Sequence, residues 1–307
     1  MTERKSDVAA FMGALRGMTD VRNLRAIATA ENEFYAKAVQ MYGYMALSKA
    51  FQSFVVETVE LSSQWGGQGL RPSATYGWLL PRLVSGFQTA CGAQRQALAG
   101  YPIPAFAQLR NVFDSAVVSS AVAQRFASYN EVEGVEDGVP FDPAQSLRGR
   151  KKAEFRIFAK MIGAESDLSA STREELGKLN IVFDAETHGQ RMSATQAMGW
   201  MRGEGPLLFL PSYEVMGYAL FLNRYCEVAW MLHRLMPFVR PEGGVIPDQW
   251  RDRWNTLDNG FRQTAVSLSA EVGKPIGDAF VEFMDKKFPF EASSALAAAK
   301  QIGGALR

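Results

Sequence analysis

Ala105-Phe-Ala-Gln-Leu-Arg-Asn-Val-Phe-Asp-Ser-Ala-Val-Val-Ser-Ser-Ala-Val-Ala-Gln-Arg-Phe-Ala-Ser-Tyr129 reads as a helix packed on most of its faces. Phe106, Leu109, Val112, Phe113, Val117, Val118, Val122 and Phe126 recur at three- and four-residue spacings, with no glycine or proline among them. A surface helix shows one apolar stripe, whereas apolar residues nearly all round place a helix at the centre of a core. Gly100-Tyr-Pro-Ile-Pro104 supplies the turn before it, and Pro104 suits the first helical position, where no N–H is needed.

Outward from this helix the same period persists in both directions. Upstream, residues 7–17 predict a short helix and residues 20–64 a long one. At ~1.5 Å per residue the latter would reach about 65 Å, so a break near Gly43 is expected. Trp65 to Pro72 is a loop by composition, and Ser73–Leu98 a helix with a kink expected at Pro81. Downstream, residues 130–143 are acidic and glycine-containing. A basic helix follows over 144–162, with Phe155, Ile157, Phe158 and Met161 expected to pack inward.

Ser171-Thr-Arg-Glu174 has the capping-box pattern for a helix to about Phe183. Further helices are expected over 193–202, 210–237, 248–272, 275–287 and 291–306. No run of alternating apolar residues predicts strands. The fold expected is all-α, an antiparallel multi-helix bundle. Its main helical domain spans 1–240, with an internal boundary in the 130–143 loop. A C-terminal helical segment, 241–307, packs on the same core.

Composition narrows the function classes. The chain has 307 residues, 47% of them hydrophobic, which is ample for a large core. Its 33 basic residues against 32 acidic ones give no overall pull toward nucleic acid or an anionic membrane. Cys91 and Cys226 lie far apart in apolar surroundings, which predicts core thiols in a reducing, cytoplasmic setting. No apolar run reaches the ~18–20 residues of a spanning helix, so no membrane partner is expected. No phosphate-binding glycine loop, dinucleotide fingerprint, zinc ligand spacing or nucleophile elbow is present, and neither a metal nor another cofactor is expected.

The polar residues that stand out are few. Arg110 and Asp114 are four apart on the apolar helix, on one face. A charged pair on a buried helix is either a tether between helices or one wall of a site. His188 follows Glu186 by two residues and Asp184 by four, with Arg191 just beyond. Histidine titrates near ~6.5, so this group has acid–base equipment and an anion holder; its alternative is a surface or capping histidine. His233 reads as a core or interface histidine, with Arg224 and Glu227 available for a polar seam. Arg148, Arg150, Lys151, Lys152, Arg156 and Lys160 form either a solvated face or a phosphate-facing stripe.

Leu109-Arg-Asn-Val-Phe-Asp114, the basic helix, Lys178-Leu-Asn-Ile-Val-Phe-Asp-Ala-Glu-Thr-His-Gly189 and the apolar helix after it resemble one arrangement. It is that of a group of largely uncharacterised bacterial all-helical proteins, distantly similar to HEPN domains. The resemblance covers roughly residues 100–240. It implies a helical defence or stress protein that acts on or binds RNA without a metal. Arg110, Asp114 and His188 match the group's pattern, and Glu186 adjoins it. In that reading Arg110 and Arg191 hold phosphate, His188 is the acid–base, and Asp114 or Glu186 orients it. The Arg–four to six residues–His motif of HEPN ribonucleases is absent: Arg173 is the nearest arginine before His188, and Arg224 precedes His233 by nine residues. The other expectation is a non-enzymatic helical scaffold or interaction module, with a protein partner or a homo-oligomer formed through an apolar helix.

Overall fold

Every residue from Phe221 to Pro237 is buried, so the molecule is built around this one segment. The structure is a computed structural model, and it describes residues 21–41, 45–68, 70, 74–124, 126–127, 132, 154–187, 215–241, 244–271 and 276–288. The expected helices over 7–17, 193–202 and 291–306, most of the 130–143 loop, the basic residues from Arg148 to Lys152, and His188 and Arg191 lie outside that set.

The described helices are α1 (Val21–Met41), α2 (Met45–Gly67), α3 (Ala74–Leu98), α4 (Pro102–Ala123), α5 (Ala170–Thr187), α6 (Val215–Leu235), α7 (Asp248–Glu271) and α8 (Ile276–Lys287). A helical segment at 154–161 precedes α5, and a 3-10 turn, Met236–Phe238, extends α6. No strand occurs among the described residues. The fold is an all-α bundle.

Side-chain pairs fix the direction of each helix. Ser48 meets Tyr225 and Thr58 meets Met236, so α2 runs parallel to α6. Ser48 also meets Gln94 while Phe51 meets Phe87, so α3 runs back along α2. Phe106 packs on Phe221 while Val112 and Leu232 flank Gly86, so α4 is again parallel to α6. Trp230 reaches Asp258 and Thr58 reaches Trp250, making α7 antiparallel to α6. Trp230 also packs on Phe280, and Arg234 bonds the Phe288 carbonyl, so α8 is parallel to α6. Helices α2, α3 and α4 alternate in direction, and so do α6, α7 and α8, as the short connections between them favour.

Local chemistry sets the helix ends. The α3–α4 turn is a Schellman motif: Tyr101 N–H donates to the Gln96 carbonyl at 2.9 Å and Gly100 N–H to the Ala97 carbonyl at 3.0 Å. Gly100 sits at φ 89°, where a side chain would be strained. Helix α4 begins at Pro102, two residues before the expected Pro104, because Tyr101 already closes the turn. Its other end is Ala123 rather than Tyr129. There Ser120 Oγ donates to the Lys287 carbonyl at 2.8 Å and the Gln124 amide donates to the same oxygen, so the last turn of α4 caps the C-terminus of α8. Helix α3 continues through Pro81, which lies on its exposed side. The described parts of the long N-terminal pattern are α1 and α2, and the break expected near Gly43 lies outside the described residues.

Two apolar residues are not where the pattern expects them. Ile157, Phe158 and Met161 of the 154–161 segment are buried, but Phe155 is 69% exposed. Phe126, beyond the end of α4, is 40% exposed. Periodicity counts apolar residues; it does not say whether another element covers each one.

Candidate functional site

Arg110 and Asp114 lie one turn apart on α4, and Arg110 Nε donates to Asp114 Oδ2 at 2.9 Å. The pair forms within one helix. Its side chains keep 14% and 25% of their surface, in contrast to Leu109, Val112, Phe113, Ala116 and Val117 around them. The guanidinium stands 5.8 Å over the Phe113 ring. A partly open ion pair keeps some of its hydration, unlike a sealed one.

Helix α5 approaches this pair from the other end of α4. Asp167, just before α5, binds Lys287 Nζ, and the Lys287 carbonyl is held by Ser120 near the end of α4. Thr172 and Ser169 bind Glu282, one turn back along α8. Helix α5 packs on both α8 and α4. It therefore starts at the C-terminal end of α4. Glu186 belongs to the last turn of α5. His188 and Arg191 follow in sequence, outside the described residues.

A second Arg–acid pair is sealed. Arg224 Nη1 binds Glu227 Oε2 on α6, both side chains 1% exposed, beside the buried Asn223. The sequence shows the signal, since charges on a helix apolar all round must find partners or a cavity.

His233 does not join that seam. Its Nε2 lies 3.0 Å from the Trp254 carbonyl, which can only accept, so Nε2 carries the proton. The ring stacks on Trp254 at 4.9 Å and 16° and also faces Phe54 and Phe261. Burial holds its pKa down at about 4; Asp258 opposes this and Arg234 adds to it. A neutral imidazole walled by aromatics is a core group, as the sequence expects of His233.

The polar centre the sequence does not reveal is next to it. Arg234 Nε and Nη2 grip the two Asp258 oxygens at 2.5 and 2.7 Å, and Nη1 donates to the Phe288 carbonyl. Trp230 Nε1 donates to Asp258 at 2.6 Å, and Asp285 joins Arg234 to Arg262. Helices α6, α7 and α8 are thus tied together by one network. Its contacts between helices join residues 23 to 54 positions apart, beyond the reach of local pattern.

Cys226 is sealed in the core, whereas Cys91, expected there too, is only half-buried; burial raises both thiol pKa values. No group of three or more metal-ligating side chains occurs among the described residues. None of the described helices is long and apolar enough to cross a membrane. No family model, curated protein or solved structure matches the chain.

Proposed function

We propose that the chain is a HEPN-like helical protein that binds or acts on RNA, with the Arg110–Asp114 pair as one wall of its site. The observation that carries this reading is the Arg110–Asp114 ion pair on the partly open face of α4, next to the exposed Asn111. In this reading Arg110 and Arg191 hold phosphate oxygens. His188 moves the proton, Asp114 or Glu186 orients it, and no metal takes part. A guanidinium suits this role because it stays charged and presents a planar fork of donors to phosphate.

The scaffold reading has its own support. Asp114 already engages Arg110 within the helix, and the Arg234 network serves only to hold helices together. There Arg110 and Asp114 are structural.

The two separate on RNA binding and RNA decay, measured for wild type, Arg110→Ala and His188→Ala, each shown to be folded by circular dichroism. Loss of both activities in both folded variants supports the RNA site. Wild-type protein that neither binds nor degrades RNA turns the assignment to the scaffold.

A further inference from the structure

We infer that the outer face of the 154–161 segment, together with Phe126, is a stacking surface for single-stranded RNA. Its inner face, Ile157, Phe158 and Met161, is buried, and Phe158 packs edge-on against Phe113 of α4 at 5.5 Å. Phe113 in turn lies beneath Arg110, so the segment is seated beside the Arg110–Asp114 pair.

The outer face combines two kinds of residue. Phe155 is 69% exposed, the most exposed aromatic side chain among the described residues. Arg156 and Lys160, one turn apart, are exposed next to it, with Glu154 half-buried at the start of the segment. Lys160 reaches across to Phe126, its ammonium 4.7 Å from the ring centroid. Phe126 is itself 40% exposed. Leaving two phenylalanine rings in water forgoes the stabilisation of burying them. Rings interleaved with cations match a polyanion whose bases offer flat apolar faces. A paired duplex hides those faces, so the surface favours single strands.

The inference rests on the RNA reading above and adds a strand-holding surface to it. The test is fluorescence anisotropy of a labelled single-stranded 20-mer RNA and of its duplex, with the full chain. Phe155→Ala is expected to weaken single-strand binding about tenfold, the about 1.4 kcal/mol of one lost stack. Phe155→Tyr should retain it, and Arg156→Glu with Lys160→Glu should weaken it and flatten its salt dependence. If these variants bind like wild type while Arg110→Ala does not, the surface is wrong and the Arg110 site stands. If they lose binding while Arg110→Ala keeps it, the surface stands and the role of Arg110 falls. Equal binding of single strand and duplex overturns the stacking argument. Wild type that binds no RNA overturns both, and a protein docking surface becomes the reading to test.

Discussion

His233 and Trp254 exchange hydrogen bonds. The imidazole Nε2–H donates to the Trp254 carbonyl at 3.0 Å, and the indole Nε1–H donates to the His233 carbonyl at 3.1 Å, with the two rings stacked between. The exchange joins α6 to α7 at the centre of the core and fixes a proton on Nε2, while burial keeps the imidazole neutral.

The first prediction follows from that neutrality. The folded pKa of His233 is about 4, below its ordinary value of 6.5, and burial is the main cause. Below pH 6.5 the unfolded chain takes up a proton that the folded chain refuses. Stability from this group is therefore full above pH 6.5 and falls with pH down to about 4, by up to about 1.4 kcal/mol per unit. Urea unfolding of wild type and His233→Phe between pH 7 and 4 should show the shallower decline in the variant. An imidazole that titrates near 6.5 by NMR in the folded protein would falsify this account.

Arg234 is the residue most needed by the α6–α7–α8 junction. Arg234→Ala leaves the buried Asp258 without its bidentate partner. Breaking a buried pair on one side costs about 3–5 kcal/mol. Arg234→Lys should recover only part of this, because an ammonium cannot grip both Asp258 oxygens and the Phe288 carbonyl in the same plane. Arg234→Met with Asp258→Leu removes both charges and should be more stable than Arg234→Ala alone. Guanidinium denaturation of the four proteins checks the order.

The sequence carries the local rules of this fold and omits the tertiary ones. Asp248–Glu271 and Ile276–Lys287 lie within a residue of their expected limits, because their apolar stripes and flanking breakers are local. The end of α4 does not, since Ser120 and Gln124 cap a helix more than 160 residues away in sequence. The cap of α5 is Ser169 rather than the expected Ser171, because the acid that completes it is Glu282, from α8. Arg110 and Asp114 are legible as a pair from their spacing alone. Their partial exposure is not, because it depends on what other helices leave uncovered.

At Gly86, α3 packs closely on α4 and α6. A Cβ there would lie 3.1 Å from Leu232 Cδ2 and 3.5 Å from Val112 Cγ1. Gly86→Ala should be close to neutral, since the about 1 kcal/mol gain in helix propensity offsets a small displacement of Leu232. Gly86→Leu forces α4 and α6 apart and should cost about 1–3 kcal/mol. Thermal unfolding of both variants tests this, and a Gly86→Leu protein as stable as wild type would show that the three helices are less tightly joined there.

Glu282 completes a helix cap from outside the helix. Ser169 N–H donates to Oε1 at 2.8 Å, Ser169 Oγ to Oε2 at 2.7 Å and Thr172 Oγ1 to Oε2 at 2.5 Å, while Lys286 binds Oε1. The hydrogen bond from Thr172 is the largest of the influences that hold its pKa down at about 2, followed by those from Lys286 and Ser169. A depressed carboxylate stabilises the fold above its unfolded value of about 4.3, and that contribution is lost as pH falls toward 2. Glu282→Gln keeps the shape but not the charge, and should cost about 1 kcal/mol at pH 7. The gap between wild type and variant should close as the pH is lowered from 5 to 2 in melts followed by circular dichroism. A gap that stays constant over that range would assign the loss to shape rather than to the charged cap.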